Sequence, residues 1–192
     1  MKTLSRIAEE ADHRANTFKQ QVMNSLPEGM SIGDVKQLVK PERVVAEQVR
    51  EAIRVTYQVT GIDTAQAKVD TLPGNTAGEY HMNDGHIEID LDIARNEDVG
   101  HVALHEAWHK ANKKMGDDEI IASTDFEEAL TERATEETTG QRLAYHEEDQ
   151  IIGMVVSRTR VTRKHLIGLF KKGENAKLNG YYEEAYEEPA LN

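Results

Sequence analysis

Two histidines spaced four residues apart, His105 and His109, place the strongest constraint on how this chain folds. They lie in a stretch, 99–115, that has the apolar periodicity of an α-helix. On a helix, side chains four positions apart project from one face, so both imidazoles can bind the same metal ion. Glu106 lies at the edge of that face, where its carboxylate can reach a water molecule at the metal without binding the metal itself. The sequence therefore predicts a metal site on this helix with Glu106 as a general base.

The absence of cysteine limits which other residues can complete the site. It excludes disulfides, thiolate zinc sites and a cysteine nucleophile, so every metal ligand must be His, Asp or Glu. A catalytic zinc ion needs three protein ligands and one open position for water. His101 shares the helix face with His105 and His109, but a fourth protein ligand would block that open position. We therefore look for the third ligand downstream.

A second helix downstream offers the third ligand. The segment 124–127, Thr-Asp-Phe-Glu, has the form of a capping box and predicts a helix that Gly140 ends. Glu128 lies in its first turn, and eighteen residues, 110–127, separate it from His109. We therefore expect one zinc ion held by His105, His109 and Glu128. Glu132 lies one turn later, where it can accept a hydrogen bond from a ligand histidine and fix the orientation of its ring.

The other patterns predict an α+β fold within a single domain, 1–192. The elements that we expect are helices over 2–24, 41–60, 147–157 and 162–172, a strand over 67–72, and a hairpin whose strands 79–82 and 86–90 flank the turn Asn83-Asp84-Gly85. His81 and His86 flank that turn, and we expect them to be exposed or to pair across the strands. We divide the chain into an N-terminal helical segment (1–60), a catalytic core (61–172) and an acidic tail (173–192), where 181–186 forms a short helix or a mobile segment.

The run His105-Glu106-Ala107-Trp108-His109, followed after eighteen residues by Glu128, resembles the signature of the gluzincin zinc metallopeptidases. Glu128-Ala129-Leu130-Thr131-Glu132 resembles the second motif of that family, and the resemblance covers roughly residues 78–150. It implies a zincin-like fold, in which a small mixed sheet with a hairpin edge strand precedes an active-site helix, a glutamate helix and C-terminal helices. It also implies hydrolysis of a peptide or protein substrate that lies extended along an edge strand within 79–91.

Zincin chemistry also implies a donor for the oxyanion of the tetrahedral intermediate. Tyr145 and His146 both follow the glutamate helix, and we favour Tyr145 because related sequences often carry a tyrosine at that junction. Trp108, the only tryptophan, points away from the metal face and is expected in the core.

The resemblance favours an endopeptidase over an aminopeptidase. Aminopeptidases with this zinc signature share a Gly-x-Met-Glu-Asn segment, whereas the corresponding stretch here, 78–84, reads Gly-Glu-Tyr-His-Met-Asn-Asp. Two alternatives stay open. In the first, the chain is a zinc-stabilised binding or regulatory module that cleaves nothing physiological. In the second, it is a latent peptidase that is inhibited by its own terminus or by dimerisation.

The net charge of −12 argues against nucleic-acid binding, which needs a clustered basic surface, and against attachment to anionic membranes. No apolar run is long enough to span a bilayer, and the N-terminus lacks the apolar stretch of a secretion signal. We therefore expect a cytoplasmic protein, and the oligomeric state stays open.

Overall fold

The computed structural model describes residues 1–25, 31, 33, 36, 40–95, 98–116, 119–140 and 146–186. The chain divides into two compact units, Met1–Leu104 and His105–Asn192. In the described part of the chain, the fold is α+β, as the sequence predicts. Seven α-helices have their bounds within the described residues: α1 (Leu4–Asn24), α2 (Lys40–Thr60), α3 (Val99–Met115), α4 (Thr124–Thr139), α5 (His146–Thr159), α6 (Arg163–Phe170) and α7 (Asn175–Tyr186). The strands are β1 (Lys2–Thr3), β2 (Lys68–Asp70), β3 (Gly78–Tyr80) and β4 (Ile87–Asp90), and a 3-10 helix spans Ile93–Arg95.

The first unit contains a mixed four-stranded sheet with the strand order β1-β2-β4-β3. β2 and β4 are parallel, whereas β1 pairs antiparallel with β2 and β3 pairs antiparallel with β4. β4 alternates in burial, because Ile87 and Ile89 face the core while Glu88 and Asp90 are half-buried. In the strand order of the sheet, β3 is an edge strand and β4 is an interior strand, and these two strands form the predicted hairpin.

Helix α1 packs against α2 in the same unit. Thr3 caps α1 by accepting a hydrogen bond from the backbone N–H of Arg6 at 3.4 Å. The buried positions of α1 recur at helical spacing, which places small and branched side chains on one face: Leu4, Ile7, Ala8, Ala11 and Ala15. The helix that the sequence predicts over 2–24 thus begins at Leu4, because Lys2 and Thr3 pair with β2 instead.

Helix α4 of the second unit begins one residue earlier than a capping box at Thr124 would place it. Ser123 is the cap, since its side chain accepts from the backbone N–H of Phe126 at 3.3 Å. Gly140 ends the helix with φ 69°, a left-handed conformation that glycine adopts without strain. Phe126 is fully buried, and its ring stacks on that of Tyr182 at 5.3 Å.

The helices that the sequence predicts over 147–157 and 162–172 correspond to α5 and α6, with bounds that differ by one or two residues. Residues 175–186 form a helix, which settles the choice left open for 181–186. Tyr145 and the segment 187–192 lie outside the described residues. Among the helices that the structure describes, none is both long and apolar enough to cross a bilayer.

Candidate metal centre

The candidate metal centre lies in the second unit, on α3 and α4. The C-terminal end of α3 is held by Asn112, whose amide nitrogen donates to the carbonyl of Phe170 at 2.8 Å and to Oδ1 of Asn175 at 3.0 Å. Asn175 donates back to Oδ1 of Asn112 at 2.8 Å, and both side chains are buried. Satisfied amide pairs of this kind fix the position of a helix more narrowly than apolar contact does.

Close backbone approach reinforces this anchor. Gly173 has φ 69°, and a Cβ placed on it would lie 2.6 Å from the carbonyl carbon of Met115, the last residue of α3. One turn before Asn112 on the same face of α3, Trp108 is 4% exposed, packs against Phe170 and lies under the ammonium of Lys171. Trp108 therefore belongs to the core, as the sequence predicts.

Helices α3 and α4 bring together one atom each from His105, His109 and Glu128. The two Nε2 atoms are 3.2 Å apart. The carboxylate of Glu128 faces both nitrogens. Its Oε2 lies 3.1 Å from Nε2 of His105, and its Oε1 lies 3.4 Å from Nε2 of His109. These three residues form a group that can hold a metal ion. His101 is not part of this group.

The separation of the two histidine nitrogens matches a tetrahedral zinc site. Zinc binds imidazole nitrogen at about 2.0–2.1 Å and carboxylate oxygen at about 2.0–2.2 Å, so tetrahedral geometry places two such donors about 3.3–3.4 Å apart. The observed Nε2–Nε2 distance of 3.2 Å lies close to that range. Each Nε2 also has an oxygen of Glu128 at 3.1 or 3.4 Å, a different oxygen for each ring. Two imidazoles and one carboxylate also suit the preferences of zinc and leave a fourth position open.

A second carboxylate lies behind each histidine. Oε2 of Glu132, which is buried, is 3.2 Å from Nδ1 of His105, and Oε1 of Glu127 is 3.0 Å from Nδ1 of His109. A carboxylate at Nδ1 directs the other ring nitrogen toward the metal and makes it more basic. From the sequence, Glu127 is expected only as the last residue of the capping box and not as part of the metal site. Its position directly before Glu128, at the start of α4, was the one available signal.

The carboxylates also control the charge of the histidines. Burial by itself lowers the pKa of His105, but hydrogen bonds to Glu128 and Glu132 outweigh it and raise the pKa to about 9. Burial likewise lowers the pKa of His109, while hydrogen bonds to Glu127 and Glu128 raise it to about 10. Burial would raise the pKa of Glu128, but hydrogen bonds from both histidines hold it well below its usual range.

Protons on the two histidines do not by themselves satisfy the carboxylate of Glu128 and both Nε2 atoms without a cost. Glu128 is best satisfied when both Nε2 atoms carry a proton to donate to it. The two protonated rings, with their Nε2 atoms 3.2 Å apart, would then repel each other. A cation bound by both nitrogen lone pairs removes this conflict, because neither nitrogen then needs a proton.

Glu106 lies on α3 next to His105 and is 6% exposed. Its negative charge contributes to raising the pKa of both His105 and His109, so the carboxylate is electrostatically close to the two rings. Tyr145 lies outside the described residues, and the side chain of His146 is likewise outside them.

Comparisons with protein-family models, with curated proteins and with solved structures found no match to this chain.

Proposed function

We propose that this chain is a zinc-dependent endopeptidase of the gluzincin type. The observation that carries the proposal is the convergence of His105, His109 and Glu128, with the two Nε2 atoms at a tetrahedral separation and a repulsion between the protonated rings that a cation would remove. The resemblance of the motif to gluzincins supports the same conclusion. A zinc ion bound there would act as a Lewis acid and would lower the pKa of a water molecule.

Glu106 is the general base in this proposal. It is buried beside the two histidines, so its carboxylate is shielded from bulk solvent and its charge is felt at the centre of the site. It accepts a proton from the attacking water and passes that proton to the nitrogen of the leaving amine. A structural metal site has no use for such a base, which favours catalysis over the binding-module alternative.

Substrate recognition and oxyanion binding complete the proposal. The resemblance implies that an extended peptide pairs through main-chain hydrogen bonds with an edge strand, and β3 is an edge strand of the sheet in the first unit. Tyr145 donates a hydrogen bond to the oxyanion, with His146 as the alternative donor.

The test is cleavage of a peptide library by zinc-loaded protein, with wild type compared to Glu106→Gln. Glutamine keeps the size of the side chain but cannot accept the proton, so hydrolysis should fall by roughly 10²–10⁴-fold while zinc stays bound. Glu137→Gln, on the exposed side of α4, is the matched control and should cleave at the wild-type rate.

Two outcomes would contradict the proposal. Equal cleavage by the Glu106→Gln variant and wild type would remove Glu106 from the mechanism. Tight zinc binding by wild type without cleavage of any peptide in the library would instead favour the binding or regulatory module. Cleavage that begins only after limited proteolysis would identify the latent form of the peptidase.

A further inference from the structure

A second set of metal-ligating side chains lies on the hairpin of the first unit. His81 follows β3, His86 precedes β4, and Glu88 lies within β4. One ligand atom from each of the three lies within 4.8 Å of the others. We propose that this hairpin cluster, defined as His81, His86 and Glu88, is a second binding site for a divalent transition metal of the zinc class.

The strand geometry explains why these side chains meet. The backbone N–H of His81 donates to the carbonyl of His86 at 2.9 Å, so the two residues face each other across the hairpin. Side chains alternate along a strand, which places Glu88 on the same face as His86. The two imidazole rings stack with their centroids 4.0 Å apart and their planes inclined by 15°.

Both Nε2 atoms approach the carboxylate of Glu88, each at a different oxygen. Nε2 of His86 is 3.1 Å from Oε1, and Nε2 of His81 is 3.4 Å from Oε2. Although Nε2 of His81 is buried, its contact with Glu88 does not have the geometry of a regular hydrogen bond. Buried ring nitrogens are nearly always well satisfied, so this one has room for a better partner. A metal ion between Glu88 and the two rings would supply it.

Further carboxylates lie behind the two histidines, as they do at the centre on α3 and α4. Nδ1 of His86 hydrogen-bonds Asp84, and Nδ1 of His81 lies 3.7 Å from Glu79. Such partners direct the opposite nitrogen, Nε2, toward a ligand. This repetition of the carboxylate–histidine arrangement is independent of the distances to Glu88.

The charge of the hairpin also suits a dication. Three carboxylates, from Glu79, Asp84 and Glu88, surround the histidines, and the ammonium of Lys68 lies 3.7 Å from Glu88. Two imidazoles with one carboxylate favour zinc, nickel or copper over calcium and magnesium, which prefer oxygen ligands. The side chains of His81, His86 and Glu88 are 31%, 23% and 17% exposed, so an ion can enter from solvent and keep water ligands.

The experiment titrates zinc chloride into the Glu128→Gln variant, in which the α3–α4 centre has lost a ligand, and follows binding calorimetrically. We expect one remaining site, which His86→Gln weakens by at least about tenfold. His13→Gln, a change on helix α1 outside both groups, is the matched control and should leave the titration unchanged. Because Glu128 is already substituted, this result does not depend on whether the proposed peptidase is correct.

A second variant tests the sign of the electrostatic effect. Lys68→Gln removes the ammonium that competes for Glu88 and should tighten zinc binding by roughly two- to fivefold. Zinc should also slow hydrogen exchange at the backbone N–H groups of His81 and Gly85, which close the turn. If His86→Gln and Lys68→Gln both bind zinc as the His13→Gln control does, and zinc leaves exchange at the turn unchanged, the hairpin site does not exist.

Discussion

Glu132→Gln tests whether the carboxylates behind the histidines tune metal affinity. Oε2 of Glu132 lies 3.2 Å from Nδ1 of His105, and its side chain is 5% exposed. Glutamine preserves the volume and an acceptor oxygen but removes the charge. Loss of such a partner typically weakens metal binding about 10–100-fold, which corresponds to about 1.4–2.7 kcal/mol of binding free energy.

Glu127→Gln gives an internal comparison. Its carboxylate is as close to His109, at 3.0 Å, but its side chain is 21% exposed. Solvent screens the charge of Glu127 more, so its substitution should cost less affinity than that of Glu132. The predicted order of the two losses of zinc affinity therefore follows from the burial of the carboxylates and not from their distances to the histidines.

The assay is competition for zinc against a chromophoric chelator at pH 7, with circular dichroism as the check on folding and Glu137→Gln as the exposed control on the same helix. The expected order of affinity is control, then Glu127→Gln, then Glu132→Gln. A folded Glu132→Gln variant that binds zinc within about threefold of wild type would refute the reasoning, since its carboxylate would then serve only as an ion-pair partner.

Three further predictions follow from the same structure. The pKa values of His105 and His109 are raised from 6.5 to about 9 and about 10. The ion pairs of the two protonated rings therefore stabilise the metal-free protein fully below pH 6.5, and this stabilisation is lost as the pH rises through 9 and 10. The melting temperature of metal-free protein should fall over that window, and a flat or rising profile would count against the ion-pair network. At pH 7 zinc displaces protons from these rings, so the calorimetric binding enthalpy should depend on the ionisation enthalpy of the buffer; buffer independence would argue against protonated histidines. Gly173→Ala should destabilise the protein by about 2–4 kcal/mol, since it combines left-handed strain with a clash against Met115, whereas Gly140→Ala meets no atom within 4 Å and should cost about 1 kcal/mol in chemical denaturation. Equal losses for the two alanine variants would exclude the clash.

The sequence predicts most of the secondary structure because its signals are local. The periodicity of 99–115 and the left-handed turn at Gly140 each depend on neighbouring residues, and both elements lie where the pattern places them. The start of α4 differs in its cap, since Ser123 and Thr124 are both good caps and sequence alone does not choose between adjacent hydroxyls. Residues 2–3 join a strand because pairing with β2 outweighs helix extension, which is a tertiary effect.

The candidate site was less completely predictable. His105, His109 and Glu128 come together as a group because helical spacing and a short connection determine their approach. The carboxylate of Glu127 reaches Nδ1 of His109 through the relative rotation of two helices, which no local pattern encodes. The stacking of His81 on His86 depends on hairpin register in the same way.

The position of Trp108 has a consequence for how this molecule can be observed. It is the only tryptophan in the chain, it lies between His105 and His109 in the sequence of α3, and it is 4% exposed against Phe170 and Lys171. Excitation that selects tryptophan over tyrosine therefore reports on one side chain of the helix that carries His105 and His109. The protein contains its own fluorophore at the place where metal uptake, helix displacement and loss of the core would each change the emission.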